Sequence, residues 1–279
     1  MKSKKMIGAI FLSILCLALG QLGAQLIASG FLLIKVPDYI CNIIAGILYV
    51  IISYYLIKLL CIKYLKSSLD EFYITKIRFN IKWIIVAILL PIIVAGIYLL
   101  LPGKLSSNNF ALSEKLVTIT AGICFMSIAA GIVEEMVFRG IIMNSLSKRY
   151  NKKIAIIVPS LLFGFVHILG MKFNLLSCLL VIISGTMVGI MFSLIAAEGK
   201  SIWNSAIIHI LWNIVMISGI IHIGNSIDKY SMYNYLLNTK SFIISGGEFG
   251  IESSLFATIG YIIVSLIAIV MIKNKRIKK

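Results

Sequence analysis

The stretch Ile132-Val133-Glu134-Glu135-Met136-Val137-Phe138-Arg139-Gly140 sets two acids and one base inside an otherwise apolar run. An ionisable side chain within a membrane helix costs about 3 kcal/mol or more, so it needs a partner or a watery cavity and marks a candidate site. Glu135 and Arg139 are four residues apart and share a helical face, which makes them the natural ion pair. Glu134 points about 100° away from Glu135. It is left to find a histidine, an amide, a metal ion or water.

The rest of the chain supplies the membrane. Of 279 residues, 60% are hydrophobic and 13% charged, with a mean hydropathy of +1.05, whereas soluble domains are about a quarter charged. A water-soluble globule is excluded. At roughly 20 residues per spanning helix, apolar windows bounded by Lys, Arg, Asn or Gly clusters give eight spans: 6–34, 40–61, 83–101, 116–146, 154–170, 175–197, 202–222 and 253–272. We expect an all-α, polytopic integral membrane protein of about eight transmembrane helices. It forms a single membrane domain over 1–279: three N-terminal helices within 6–101, a motif-bearing block at 116–222, and an outer loop and last helix at 223–279. The start, Met1-Lys2-Ser3-Lys4-Lys5, leads into an apolar run too long for a signal peptide, so an uncleaved first helix is expected.

Lysine and arginine are retained on the cytoplasmic side of membrane proteins. With both termini inside, alternate segments hold 19 basic residues inside and 6 outside, and Arg139 within a span completes the 26. This N-in/C-in alternation accounts for a net charge of +16. The bases flank apolar runs instead of forming one patch, so membrane lipids are expected as partners and nucleic acid is not. Five cysteines stand singly in apolar segments and read as packing residues, not as disulfides or zinc ligands.

Two more polar spots lie in spans: Phe163-x-x-x-His167 and His209-x-x-x-Asn213. Each pair shares a helical face. At 1.5 Å per residue, Glu134 lies about 18 Å from the inner end of its span, His167 about 20 Å, His209 about 11 Å and Asn213 about 17 Å. These depths are compatible only if the fourth span runs on to Leu146. A carboxylate, two imidazoles and a carboxamide in one cavity can activate water and steady an oxyanion, with amide hydrolysis as the obvious use. Alternatively, Glu134, His167 and His209 supply three ligands to a zinc-like divalent ion with an open fourth position. The sequence has no His-Glu-x-x-His.

Glu134-Glu135-x-x-x-Arg139, Phe163-x-x-x-His167 and His209-x-x-x-Asn213, in that order on successive membrane helices, resemble the three motifs of the CPBP intramembrane proteases, the CAAX-protease and bacteriocin-processing enzymes also called the Abi family. The resemblance spans roughly Val117 to Ile220. It implies Glu134 as the water-activating carboxylate, His167 as its partner, and His209 with Asn213 as oxyanion donors. Glu135, Arg139 and Phe163 are implied as supporting residues. The family has been described both as metalloproteases and as metal-free glutamate enzymes, so the cofactor stays open between none and a divalent metal such as zinc. The implied partner is a peptide or lipid-modified protein substrate. Members also include proteins that act by binding, among them bacteriocin self-immunity factors and sensor-kinase modulators, which is the alternative function. The Lys/Ile-rich composition suits a bacterial plasma membrane.

Outside the motifs, Gly185-x-x-x-Gly189 reads as a small-residue packing face. Gln21 and Gln25 share a face suited to interhelical hydrogen bonds. The Lys58 to Lys82 segment, with Phe72, Tyr73, Ile74 and Ile77 interleaved, reads as amphipathic on anionic lipid. Tyr230 to Tyr235 suits an interfacial belt. His222, thirteen residues after His209, is expected at the outer end of the seventh helix. A buried ion network with a purely structural role competes for Glu134, Glu135 and Arg139. A proton-coupled transporter fits buried acids in general, but no inverted half-repeat supports it.

Overall fold

Asparagine begins three of the helices, because its side-chain oxygen accepts a backbone N–H that the first turn leaves unpaired. Asn80 caps through the amide of Lys82, Asn151 through that of Ile154, and Asn174 through that of Ser177. The structure, a computed structural model, describes residues 1–169, 171 and 173–277. The principal helices are α1 (Ser3–Leu33), α2 (Asp38–Leu59), α3 (Ile81–Leu100), α4 (Leu112–Ser147), α5 (Lys152–Val166), α6 (Leu175–Gly199), α7 (Trp203–Met216) and α8 (Leu255–Ile277). The fourth is continuous for 36 residues, which meets the condition set by the depth argument.

Six of these helices, α1 to α4, α6 and α8, are long and apolar enough to cross a membrane. The other two expected spans, 154–170 and 202–222, are shorter: α5 has 15 residues and α7 has 14. At 1.5 Å per residue they cover about 23 Å and about 21 Å, less than the ~30 Å hydrocarbon core. Position 170, where the first of these expected spans ends, lies outside the described residues, as do Lys172, Lys278 and Lys279 of the basic count.

Past α7 the chain leaves helical geometry and enters a small sheet of β1 (Gly103–Ser107), β2 (Ile221–Gly224) and β3 (Tyr233–Leu237). The order is β1-β3-β2, with β1 antiparallel and β2 parallel to β3. His222 is therefore a strand residue paired with Asn234, not the end of a helix. Tyr235 of the aromatic cluster donates its hydroxyl to the Leu101 carbonyl at 2.8 Å, so it fastens the sheet to the end of α3.

The ends of the helices that carry the basic segments meet one another. Lys5 Nζ reaches the Leu65 carbonyl at 2.8 Å, Lys148 pairs with Glu71 at 2.8 Å, and Lys275 pairs with Glu198 at 2.6 Å. The opposite ends meet in the sheet. Within the basic end, Phe72 and Ile74 are buried and only Ile77 of the four interleaved apolar residues is strongly exposed. Phe72 and Ile74 of the expected lipid-lying segment are thus packed, with Lys148 Nζ 4.3 Å from the centre of the Phe72 ring, while Ile62, Ile77, Phe79 and Ile81 of the same stretch are exposed.

Gly185 and Gly189 pack α6 against α5. A Cβ on Gly185 would lie 2.8 Å from Gly164 Cα, and one on Gly189 would lie 2.8 Å from Ser160 Cα. Contacts this close need backbone movement. Gly185→Ala is expected to lower the melting temperature of the detergent-solubilised protein by an amount corresponding to about 1–3 kcal/mol. Gly96→Ala, where nothing lies within 4 Å of the new methyl, serves as the control and should hold or raise it.

Candidate active site

Arg139 is fully buried and anchored at both Nη atoms, while its Nε and Oε2 of Glu135 have no hydrogen-bond partner among the described residues. Its Nη1 donates to Glu135 Oε1 at 2.8 Å and its Nη2 to the Gly189 carbonyl at 3.3 Å. The guanidinium carbon lies 4.4 Å from the centre of the Phe163 ring and 5.0 Å from that of Phe192, an arrangement in which ring faces replace part of the lost hydration. The same Glu135 oxygen lies 3.2 Å from His209 Nδ1. A carboxylate only accepts, so Nδ1 carries the proton. His209 Nε2 is thereby turned toward Glu134, whose Oε2 is 3.8 Å away. The His209 ring stacks on Phe192 with centroids 4.8 Å apart.

Glu134 and Glu135 have different surroundings, as their positions on the helix require. The side chain of Glu135 is 0% exposed, while that of Glu134 is 23% exposed. Glu134 looks into a cavity of about 730 Å³ that is also lined by Phe163, His167, His209 and Asn213. His167 follows the last residue of α5, and its Nδ1 lies 2.6 Å from the Phe163 carbonyl. Since a carbonyl cannot donate, Nδ1 bears the proton and the neutral ring keeps a free lone pair on Nε2. Asn213 donates one Nδ2 hydrogen to the Met126 carbonyl at 3.1 Å and retains a second.

The geometry thus gathers Glu134, His167, His209 and Asn213, from α4, the end of α5 and α7, around one space, with Glu135, Arg139 and Phe163 behind it. Gln21 and Gln25 line the cavity wall. Neither makes an interhelical hydrogen bond among the described residues. No three His, Cys, Asp or Glu side chains among the described residues converge closely enough to hold a metal ion. The set Glu134, His167 and His209 is not grouped in this way.

One further acid lines the cavity. Glu252 lies in a single turn, Ile251–Ser253, just before α8. Its Oε1 accepts from Trp212 Nε1 at 3.1 Å, and its backbone carbonyl accepts from the Tyr261 hydroxyl at 3.0 Å. Burial pushes its carboxyl up to about 7, with the Trp212 hydrogen bond and His209 opposing and Glu134 adding to the rise. The sequence carries little signal for it. An acid just ahead of an apolar helix is the ordinary complement to a helix dipole, and Trp212 is 40 positions away.

These features define a multi-pass helical membrane protein enclosing a polar cavity of acids, imidazoles and an amide. Residues 116–215 match the family model described as Rce1-like, Type II CAAX prenyl endopeptidase Rce1-like, which bears out the CPBP resemblance read from the three motifs. The chain is 28% identical over 180 residues to the Bacillus subtilis (strain 168) protein named "Putative membrane peptidase YdiL", an alignment that spans 62% of this chain and 67% of that one. No solved structure matches. All three motifs fall inside the matched segment, and Glu252 falls outside it.

Two outcomes follow. Arg139→Gln leaves Glu135 buried without its cation, a loss of about 3–5 kcal/mol, so its melting temperature should drop far more than that of Glu134→Gln. Retained stability would show that the pair is dispensable. For Glu252, infrared difference spectra of wild type against Glu252→Gln should show a protonated carboxyl band at about pH 5.5 that disappears by about pH 8.5, because the raised pKa keeps the acid neutral below it and lets it ionise above. The ionisable side chains facing it are Glu134, His209 and Tyr261. A band already absent at the acid end would contradict the burial argument.

Proposed function

We propose that this protein is an intramembrane endopeptidase that hydrolyses a peptide bond in a membrane-associated or lipid-modified peptide or protein, using a glutamate-activated water. The coarser statement, a CAAX-type membrane peptidase, is supported by the family match and the relative. The finer one is carried by a single observation: Glu134 faces a cavity shared with His167, His209 and Asn213, while its neighbour Glu135 is spent on Arg139.

In this reading Glu134 accepts a proton from water as the water oxygen attacks the scissile carbonyl carbon. His167, whose Nε2 lone pair is free, helps to hold that water. Among the described residues no hydrogen bond joins Glu134 and His167, and both line the same cavity. The carbonyl electrons pass to oxygen, where the remaining Asn213 hydrogen serves as a donor, joined by His209 in its doubly protonated form, with Nδ1–H held by Glu135 and Nε2–H turned to the oxyanion. Collapse breaks the carbon–nitrogen bond, and the proton held by Glu134 goes to the departing amine. Buried surroundings strengthen each of these interactions relative to water.

Both termini are placed inside the cell, on the 19 to 6 distribution of bases. The site block at 116–222 works with the three N-terminal helices and with 223–279 as one domain. The competing reading, a protein that acts by binding alone, uses the same helices without chemistry.

Substrate trapping separates the two. Glu134→Gln, in full-length protein in nanodiscs, should retain a bound peptide that mass spectrometry identifies. Wild type should cut that peptide at least about a hundredfold faster than the variant, and the rate should persist in excess EDTA. A Glu134→Gln or His167→Ala protein that keeps full cellular activity would establish the binding reading instead.

A further inference from the structure

Charge is distributed unevenly around the cavity. The chain has 26 lysines and arginines against 10 acids, yet among the described residues no lysine or arginine lines the cavity at Glu134. A second cavity, of about 430 Å³, lies beside it beneath β2 and also has no lysine or arginine in its described lining. Ala121, Met126, Ile217, Phe249 and Glu252 border both cavities. Glu252 therefore stands at the boundary between them, with Glu134 lining one and Asp228 the other. Three of the ten acids of a strongly basic protein line these two adjoining cavities.

Arg139, the buried cation nearest the site, cannot neutralise it. Its charge is taken up by Glu135 behind the rings of Phe163 and Phe192. Glu252 is held in place without a cation beside it: Trp212 donates to Oε1, and Oε2 has no hydrogen-bond partner among the described residues. Trp212 is itself braced edge-on by Tyr261, with centroids 5.0 Å apart. A carboxylate kept in a cavity without a counter-ion is costly, and a cation arriving with a ligand removes that cost. Aromatic faces beside it favour the same sign of charge.

We propose that the adjoining cavities take a peptide segment carrying a cationic side chain or amino group, and that Glu252 at their boundary is the residue that selects it. The inference rests on the peptidase reading for the word substrate, but the charge preference is a property of binding and holds with or without cleavage.

The test uses full-length protein in nanodiscs and one panel of internally quenched peptides. A single apolar peptide carries a lysine walked along its length, with norleucine and glutamate at the same positions as matched controls. Each peptide is measured for cleavage by wild type and, by fluorescence anisotropy, for binding to Glu134→Gln. At one or two adjacent positions lysine should be preferred over norleucine on the order of tenfold. Glu252→Gln keeps an oxygen for Trp212 and should bring that ratio close to one. Glu252→Lys should reverse the preference in favour of the glutamate peptide, which a merely structural role for Glu252 would not do. Absence of a lysine preference in wild type at every position overturns the inference, and so does a preference that survives Glu252→Gln. Binding with the lysine preference but no cleavage by wild type removes the peptidase reading and leaves this one standing.

Discussion

The ion pair between Arg139 and Glu135 is the constraint on which the site depends. Two charges removed from water are stabilised only when geometry is good and most remaining polar atoms are met; only Arg139 Nε and Glu135 Oε2 of this pair are left without a partner among the described residues. Here the guanidinium meets a carboxylate at 2.8 Å, a backbone carbonyl from α6 and two ring faces. Glu135 in turn fixes His209. One interaction thus ties α4, α5, α6 and α7 together and sets the orientation of an imidazole. It also leaves Glu134 as an acid with no cation of its own, which is the chemical asymmetry that the proposed hydrolysis needs.

The two helices too short to span the hydrocarbon are the ones that deliver His167, His209 and Asn213. Irregular backbone at membrane depth is tolerated where it is buried in protein or lines a cavity. The end of α5 at Val166 and that of α7 at Met216 satisfy this, since His167 and Ile217 both line the cavity wall. Apolar composition alone hides these ends, because residues that turn into a cavity wall are as hydrophobic as residues that continue a helix. That is why 154–170 and 202–222 read as complete spans and why His222 was assigned to a helix.

What the sequence made legible was local or periodic. The spacing of Glu135 and Arg139, the shared faces of Phe163 with His167 and of His209 with Asn213, and the small face at Gly185 and Gly189 all follow from helical geometry. Asparagine boundaries marked helix starts for the same reason. The failures were matters of tertiary partnership. Phe72 and Ile74 read as lipid-facing because their neighbours are basic, yet those bases project outward from a packed turn. Gln21 and Gln25 face a cavity instead of a neighbouring helix. Glu252 reaches the site through a hydrogen bond from Trp212 that no local pattern encodes.

The geometry of α4 explains how motifs on separate helices are brought into register. Glu134 and Glu135 close a regular segment that lies between two stretches of wider, π-helical turns, Ala121–Ala129 and Met136–Ile142. Such turns are common at functional sites and shift backbone carbonyls away from their usual partners. Polar side chains attach here: Ser127 Oγ donates to the Gly122 carbonyl, Asn144 Nδ2 to those of Arg139 and Gly140, and Asn213 reaches the Met126 carbonyl across from α7. The last of these is a direct link between the backbone of the first motif's helix and a side chain of the third. With Glu135 bonding His209 one turn earlier on α7, two successive turns of α7 are fixed to α4 by polar contacts. Rotation of α7 about its axis would break both, so the facing of His209 and Asn213 into the cavity is set by α4 rather than by lipid.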